Sequence, residues 1–240
     1  MKILVVADYE SMSNAAAQIV QGQIARDPRS VLGLATGSTP LGVYKTLAEY
    51  HRQGLDFAEL TTFNLDEYVG LAADHPQSYR HYMQENFFSK VNIRPENTHI
   101  PNGAAQDLQA ECLRYEQLMA EAGGIDLQLL GIGSNGHIGF NEPGTAFGSQ
   151  TQVVDLTEST IQDNARFFAT PQDVPTQALS MGIKSIMQAK AIVLMASGAN
   201  KADAVHAALR GPVTPHVPAS VLQLHPFVTF VVDQAAAGRL

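Results

Sequence analysis

The feature that most constrains the fold of this chain is an alternation of short apolar runs with amphipathic stretches from one end to the other. The apolar runs are rich in Val, Ile and Leu without polar alternation, which is typical of strands covered on both faces. We predict strands at Lys2–Ala7, Val31–Ala35, Glu59–Leu65, Leu127–Ile132, Ala191–Met195 and Phe227–Val232. Helical periodicity predicts helices at Ser13–Ala25, Leu41–Gln53, Ser78–Ser89, Asp107–Ala122, Ala178–Gln188 and Lys201–Leu209.

This βαβ rhythm predicts an α/β fold with a doubly wound, mostly parallel, Rossmann-like sheet and a site at the carboxyl ends of its strands. No repeat or linker interrupts the pattern, so we expect one domain over residues 1–240. Residues 143–175 show little apolar periodicity, and a segment of that length is often a lid over a site. The alternative is an irregular surface excursion with one short strand at Gln152–Leu156.

The composition excludes several classes of partner. The net charge is −8, from 23 acidic and 15 basic side chains, which argues against a nucleic-acid or anionic-membrane surface. The one cysteine, Cys112, cannot form an intrachain disulfide, and we expect a small buried apolar residue rather than a reactive thiol. No apolar run reaches membrane-spanning length, and the first seven residues resemble a strand rather than a signal peptide, so we expect a cytoplasmic protein.

The first candidate site segment is Gly33–Gly42, where a predicted strand runs into a predicted helix. Gly37 permits a tight turn, Ser38 and Thr39 supply hydroxyls, and Pro40 begins the helix at no cost in hydrogen bonds. Free amides at a helix start bind phosphate, and the segment is not the G-x-x-x-x-G-K-[ST] nucleotide loop. It therefore indicates a sugar-phosphate site, with an ordinary capped turn as the alternative.

Two further segments carry acid–base side chains after predicted strands. Asp66 and Glu67 follow the third strand, where an open α/β sheet binds ligands, although adjacent acids there are also common in solvated turns or helix caps. The glycine-rich segment 130–143 carries Asn135, His137 and Glu142 within eight residues. Because each glycine costs conformational entropy, so many of them indicate close approach of the backbone to a ligand, and a His in that setting indicates catalysis.

These residues carry a resemblance to a known family. The chain resembles the glucosamine-6-phosphate deaminases, specifically their short, non-allosteric bacterial form, over essentially its whole length. The resemblance lies in Ala35–Pro40, Phe63–Gly70, Gly133–Pro143, Asn164–Phe168 and Ser220–Pro226. Related 6-phosphogluconolactonases share the fold and a similar phosphate loop, but there the His loop continues into a Ser-Leu-Phe-Pro type segment. Some deaminases carry Asp where this chain has Asn135.

The resemblance implies a reaction and a set of catalytic residues. The expected reaction converts glucosamine 6-phosphate into fructose 6-phosphate and ammonia, as a step of amino-sugar catabolism. His137 would move the proton that opens the sugar ring, with Asn135 and Glu142 orienting it. Asp66 would move a proton between C2 and C1, with Glu67 as the alternative base. The reaction requires no metal and no organic cofactor, and the histidines show no metal-ligand spacing.

The resemblance also implies two cations for the substrate phosphate and the absence of an effector site. Arg166, in the predicted lid, and Lys201, at a predicted helix start, would complete the phosphate site with Gly37, Ser38 and Thr39. Allosteric members place basic residues just beyond the Asn-Glu-Pro segment, whereas this chain has no Lys or Arg from Pro143 to Asn164. We therefore expect an unregulated enzyme, monomeric, whose partner is a small sugar phosphate.

Two other functions are compatible with part of this residue pattern. A 6-phosphogluconolactonase would need His137 but no carbon-acid base at Asp66. A non-catalytic sugar-phosphate sensor would need the loop around Gly37 but not the acid–base residues. The presence of Asp66, His137 and Glu142 together favours the deaminase.

Overall fold

The computed structural model describes residues 1–157, 161, 168, 170 and 173–240. Its main sheet has seven parallel strands in the order β1-β10-β9-β6-β2-β3-β5. The strands of this sheet are β1 Lys2–Val6, β2 Val31–Leu34, β3 Thr61–Asn64, β5 Thr98–His99, β6 Leu127–Leu130, β9 Ala191–Ala196 and β10 Val228–Asp233. The six strands predicted from the apolar runs are confirmed, and β5 was not predicted.

Helices connect the strands on both faces of this sheet. The α-helices are α1 Tyr9–Arg26, α2 Leu41–Arg52, α3 Tyr79–Asn86, α4 Leu108–Glu121, α5 Ile183–Met187 and α6 Ala202–Arg210. Short 3-10 turns lie at Phe88–Lys90, Pro95–Asn97, Ala199–Lys201 and Pro218–Leu224. Helix α1 begins four residues before its predicted start, because the Asp8 carboxylate accepts a hydrogen bond from the Ser11 backbone N–H at 2.8 Å and so caps it.

The sheet separates two hydrophobic cores. Successive residues of β9 alternate between them: Val193 and Met195 pack in the core with α1 and α2, while Ile192 and Leu194 pack in the core with α4, α5 and α6. Both faces of the central strands are therefore buried, which is why the strand sequences are continuously apolar. The buried Cys112 on α4 confirms its predicted role as a small interior residue, and burial raises the pKa of its thiol to about 11.

The direction of the chain across the sheet reverses between β2 and β6. From β2 the chain proceeds to β3 and β5 on one side, and from β6 it proceeds to β9 and β10 on the other. The connections that leave these two neighbouring strands diverge, so a crevice opens above their carboxyl ends. In open α/β sheets this is the place where ligands bind.

A second sheet of three antiparallel strands lies over this edge, in the order β4-β8-β7. Its strands are β4 Asp66–Tyr68, β7 Gln152–Asp155 and β8 Gln177–Ser180. The short strand expected at Gln152–Leu156 is confirmed. The predicted helix Ala178–Gln188 is wrong in its first half, because Ala178–Ser180 belong to strand β8 and α5 begins only at Ile183. Ala178 and Leu179 are both fully buried, so the strand lacks the alternation of apolar and polar residues by which an exposed strand is recognised.

Among the helices of the described residues, none is both long enough and apolar enough to cross a membrane.

Gly103 allows the chain to pass directly behind β4. Its carbonyl accepts the Gly70 N–H at 2.8 Å, and an added Cβ would overlap the Tyr68 carbonyl oxygen. Gly103→Ala is therefore expected to lower the free energy of unfolding by roughly 1–3 kcal/mol, since the backbone of β4 must move. The measurement is urea unfolding followed by circular dichroism.

Gly22→Ala is the matched control for that substitution. Gly22 is exposed within α1, and nothing lies near an added Cβ. Because Ala loses less backbone entropy than Gly in a helix, this variant should be more stable by roughly 0.5–1 kcal/mol. Equal effects of the two substitutions would show that Gly103 is not required for close packing.

Candidate active site

Apart from Arg166, the predicted site residues lie on the segments that follow four adjacent strands of the main sheet. In the order β9-β6-β2-β3, these strands lead into Lys201, the glycine-rich segment 131–142, the Gly37 turn and Asp66. All four strands are parallel, so their carboxyl ends meet at one edge. The reversal between β2 and β6 therefore places the Gly37 turn next to the glycine-rich segment. A Cβ on Gly131 would lie 4.0 Å from the Thr39 Cβ.

The Gly37 turn is held by two tyrosines from different helices. Gly37 has φ +93°, which a side chain would strain, and its carbonyl accepts the Tyr82 hydroxyl at 2.6 Å. The Tyr9 hydroxyl donates to the Ser38 carbonyl at 3.0 Å and accepts the Gly42 N–H at 2.9 Å. Helix α2 begins after Pro40 without a side-chain cap. The turn is thus rigid and presents a helix N-terminus suited to an anion.

Asp66 and Glu67 are adjacent on β4 and buried, with 6% and 3% of their surface exposed, yet their environments differ. Burial raises the pKa of Asp66 to about 8, the neighbouring Glu67 carboxylate adds to the rise, and a hydrogen bond from the Thr36 hydroxyl opposes it. A carboxyl group with such a pKa can accept and return a proton near neutral pH.

Glu67 instead caps helix α3. Its two carboxylate oxygens accept the backbone N–H groups of Tyr68, Tyr79 and Arg80 at 2.9, 2.9 and 3.0 Å. Burial raises the pKa of Glu67, and these amides together with the Arg80 guanidinium oppose the rise. Three backbone donors at its oxygens make Glu67 a structural residue and favour Asp66 as the acid–base group. The helix-cap alternative that the sequence left open for this acidic pair therefore holds for Glu67.

The glycine-rich segment folds back on itself directly after β6. The Gly133 N–H donates to the His137 carbonyl at 2.9 Å, and a Cβ on Gly133 would overlap the imidazole ring. Gly136 has φ +86° and lies against Val217. Residues 131–136 have the G-x-G-x-x-G spacing of dinucleotide loops, but no helix follows them, so they lack the helix N-terminus that binds a pyrophosphate. The glycines serve to place His137.

Asn135 connects His137 with Glu142. Its Oδ1 accepts the His137 backbone N–H at 3.2 Å, and its Nδ2 donates to Glu142 Oε2 at 2.7 Å. The imidazole Nδ1 lies 3.5 Å from Glu142 Oε1, within ion-pair distance, and makes no hydrogen bond to the residues that the structure describes. The His137 side chain is 27% exposed, so its ring has one protected edge and one accessible to a ligand.

Ser180 and Asn141 join this loop to Asp66. Asp66 is paired with Ser180 across the small sheet, and the Ser180 hydroxyl accepts the Phe140 N–H at 3.1 Å. A Cβ on Gly139 would lie 3.7 Å from Asp66 Oδ2. The buried Asn141 amide donates to the Ile138 and Met181 carbonyls, both at 2.9 Å. The structure therefore brings Asp66 and the His137 loop together.

The structure describes one of the two predicted phosphate cations. Lys201 is the last residue of the 3-10 turn Ala199–Lys201 after β9, next to α6, as the sequence predicts. The turn is fixed by Asp233, which accepts the Ser197 hydroxyl and the Gly198 N–H. These hydrogen bonds lower the pKa of Asp233 although burial opposes them. Arg166 lies outside the described residues.

Sequence reasoning missed five residues of this region: Tyr9, Thr36, Tyr82, Asn141 and Ser180. Thr36 and Asn141 lie within segments that were singled out, so their position was a usable signal. Tyr9, Tyr82 and Ser180 come from elements distant in sequence, and only the assembled fold shows their contacts.

The buried ionisation of Asp66 should oppose folding. Its folded pKa of about 8 lies above the ordinary aspartate value of 3.8 in the unfolded chain, so stability is full below about pH 4 and falls as pH rises toward 8. Asp66→Asn removes this loss and should stabilise the protein on the order of 2 kcal/mol at pH 8, roughly 4–8 °C in Tm. Thermal unfolding from pH 4 to 9 measures the difference, which should grow over this range.

Glu67→Gln is the contrasting isosteric change on the same strand. The new amide nitrogen cannot accept the N–H groups that the carboxylate oxygens hold, so this variant should be less stable than wild type by roughly 1–3 kcal/mol. If both amide substitutions shift Tm in the same direction, the distinction between the two acids is wrong.

Comparisons with known proteins agree over the whole chain. Residues 7–230 match the family described as glucosamine-6-phosphate isomerases/6-phosphogluconolactonase. The chain is 56% identical over 241 residues to the glucosamine-6-phosphate deaminase of Thermoanaerobacter pseudethanolicus, covering 100% of this chain and 95% of that protein. It is 54% identical over 241 residues to that of Clostridioides difficile, covering 100% and 97%.

Solved structures support the same assignment. A monomeric glucosamine-6-phosphate deaminase superposes with a TM-score of 0.98 at 50% identity, covering 100% of both chains. The 6-phosphogluconolactonase of Trypanosoma brucei superposes with a TM-score of 0.80 at 23% identity, covering 100% of this chain and 98% of that one, and shares the fold alone. The chain therefore belongs to the glucosamine-6-phosphate isomerase/6-phosphogluconolactonase family and, within it, to the glucosamine-6-phosphate deaminases.

Proposed function

We propose that this protein converts glucosamine 6-phosphate and water into fructose 6-phosphate and ammonia, as a step of amino-sugar catabolism. The observation that carries the proposal is the buried Asp66, with its pKa raised to about 8, beside the glycine-rich loop that bears Asn135, His137 and Glu142. A high-pKa carboxyl and an imidazole at one crevice suit a reaction with two separate proton transfers.

His137 opens the sugar ring. Its imidazole takes the proton from the O1 hydroxyl and returns it to the ring oxygen O5, which breaks the C1–O5 bond and leaves an aldehyde at C1. The accessible edge of the ring faces the substrate, while Glu142 and Asn135 hold the protected edge and the backbone. Gly133 leaves the space in which the imidazole lies.

Asp66 performs the isomerisation. Its carboxylate removes the proton from C2 of the open-chain aldehyde while O1 takes up a proton from water, which forms an enolamine. Asp66 then delivers its proton to C1, and the amine nitrogen gives up a proton to water, which leaves an alcohol at C1 and an imine at C2. Water adds to the imine carbon, and ammonia leaves as the ketone of fructose 6-phosphate forms. These steps are proton transfers, an addition of water and a loss of ammonia, and they require no metal and no organic cofactor.

The substrate phosphate binds at the Gly37 turn. The rigid turn of Gly37, Ser38 and Thr39 and the N-terminus of α2 supply backbone and hydroxyl donors, and Lys201 supplies a cation from the loop after β9. Arg166 completes this site when residues 143–175 close as a lid. The strand β7 anchors the base of that segment to β8.

The setting is that of a small-molecule enzyme. The similarity to a monomeric deaminase over the full length of both chains supports a monomer. The net charge of −8 disfavours nucleic-acid and anionic-membrane partners and suits a cytoplasmic sugar-phosphate enzyme.

The test of the reaction compares two substrates and two enzymes. Wild-type protein should release ammonia and fructose 6-phosphate from glucosamine 6-phosphate, measured with coupled assays, and should leave 6-phosphogluconolactone unhydrolysed. Asp66→Asn should lower kcat by about 10²–10⁴ because the base is lost, while binding of the sugar phosphate, measured by calorimetry, persists. Lactone hydrolysis without ammonia release would replace the proposal with the rival lactonase.

The regulation follows from the charges near the Asn-Glu-Pro segment. Since residues 143–164 contain no Lys or Arg, an effector phosphate there would have no local cation. We expect hyperbolic kinetics and no activation by N-acetylglucosamine 6-phosphate, because without a second site there is no coupling free energy. A sigmoidal rate curve that this compound makes hyperbolic would contradict the expectation.

A further inference from the structure

Thr36 lies beside Asp66 because of the register of the two central strands. Leu34 of β2 pairs with Asn64 of β3, and the Leu65 N–H donates to the Leu34 carbonyl at 3.0 Å. The next residues, Ala35 and Leu65, both pack in the core with α4. Beyond these pairs the two chain segments stay adjacent: Thr36 lies two residues after Leu34, and Asp66, the first residue of β4, lies two residues after Asn64.

The Thr36 hydroxyl acts on two groups on this side of the strands. Burial raises the pKa of the Asp66 carboxyl and that of the Tyr79 hydroxyl of helix α3, and the Thr36 hydroxyl opposes both rises, as a hydrogen-bond donor that can turn to either group does. The Tyr79 hydroxyl in turn lies 3.4 Å from that of Tyr68, in an aromatic cluster with Phe140. Thr36 is half-buried and directly precedes the Gly37 turn. One side chain therefore connects the turn proposed to bind phosphate with the proposed base.

We propose that Thr36 is a positioning residue for the isomerisation, whose hydroxyl holds the Asp66 carboxylate in its reactive orientation. This inference rests on the proposed function of Asp66. A donor aimed at the carboxylate stabilises it relative to the neutral acid and fixes which oxygen remains available for the substrate carbon. Because Thr36 directly precedes Gly37, the turn that binds the phosphate also fixes the position of Asp66.

Among the described residues, the other titratable groups that interact with Asp66 are one acid and four tyrosines. Glu67 lies on the same strand and raises the pKa of Asp66. Each tyrosine hydroxyl interacts electrostatically with Asp66, and together they come from α2, β4, α3 and α4: Tyr44, Tyr68, Tyr79 and Tyr115. Burial raises the pKa of all four tyrosines, so they stay neutral over the pH range in which Asp66 titrates. The charge of these neighbours is therefore constant when the effect of losing the Thr36 hydroxyl is measured.

The experiment uses Thr36→Val, which keeps the side-chain shape and removes the hydroxyl, with Thr36→Ser as the control that keeps the hydroxyl. Loss of the hydrogen bond raises the pKa of Asp66, so the acidic limb of the kcat/KM profile should move up by about one pH unit in the Val variant. The Ser variant should keep the wild-type limb. A merely structural role would lower activity at every pH without moving the limb.

A second measurement detects the same contact without turnover. The free energy of unfolding is measured from pH 4 to 10 for wild type, Thr36→Val, Asp66→Asn and the double variant. The stability of the wild type falls with rising pH until Asp66 is fully ionised. Thr36→Val should shift the end of this fall to higher pH, and the shift should be absent in the Asp66→Asn background. If both the rate limb and the stability curve are unchanged in Thr36→Val, the proposal is overturned.

The two measurements separate this inference from the proposed reaction. A wild-type protein that releases no ammonia, but whose stability curve still shows the coupling, would overturn the reaction and the catalytic part of the inference. An active wild type without coupling would overturn the role of Thr36 alone.

Discussion

The parallel pairing of β9, β6, β2 and β3 is the constraint on which the rest of the structure depends. Parallel strands end at the same edge, so four loops from distant parts of the sequence converge there. Because the chain proceeds in opposite directions from β2 and β6, the loops at the centre diverge and leave a crevice. The two hydrophobic cores hold these strands from both faces and make the edge rigid.

The small sheet places two buried carboxylates, Asp66 and Glu67, at this edge. Asp66 pairs with Ser180, and Glu67 caps α3, so the strand that carries both acids is held on two sides. Water is excluded from Asp66, which raises its pKa to about 8 at a cost in stability. Proteins accept such costs at sites where the raised pKa is useful.

The glycine-rich loop shows how local sequence and tertiary contacts act together. Its glycines permit a backbone path that no side chain could follow, with φ +86° at Gly136 and the imidazole against Gly133. The glycine pattern was a sufficient signal for a functional turn, and the family resemblance assigned its polar residues. The loop is oriented by Ser180, the last residue of β8, and by the Met181 carbonyl, which accepts a hydrogen bond from Asn141 of the loop. Both partners lie in a segment that the sequence predicts as helix.

The amino-acid sequence by itself determined the fold class, six strands and the segments that meet at the candidate site, because apolar periodicity and glycine-rich turns are local signals. It did not determine the different surroundings of the two adjacent acids. Glu67 is occupied by three backbone amides and Asp66 is beside Thr36, and both facts depend on the pairing of β2 with β3 and the packing of α3. Only the tertiary structure decides such contacts, since burial and hydrogen-bond partners are properties of the assembled chain.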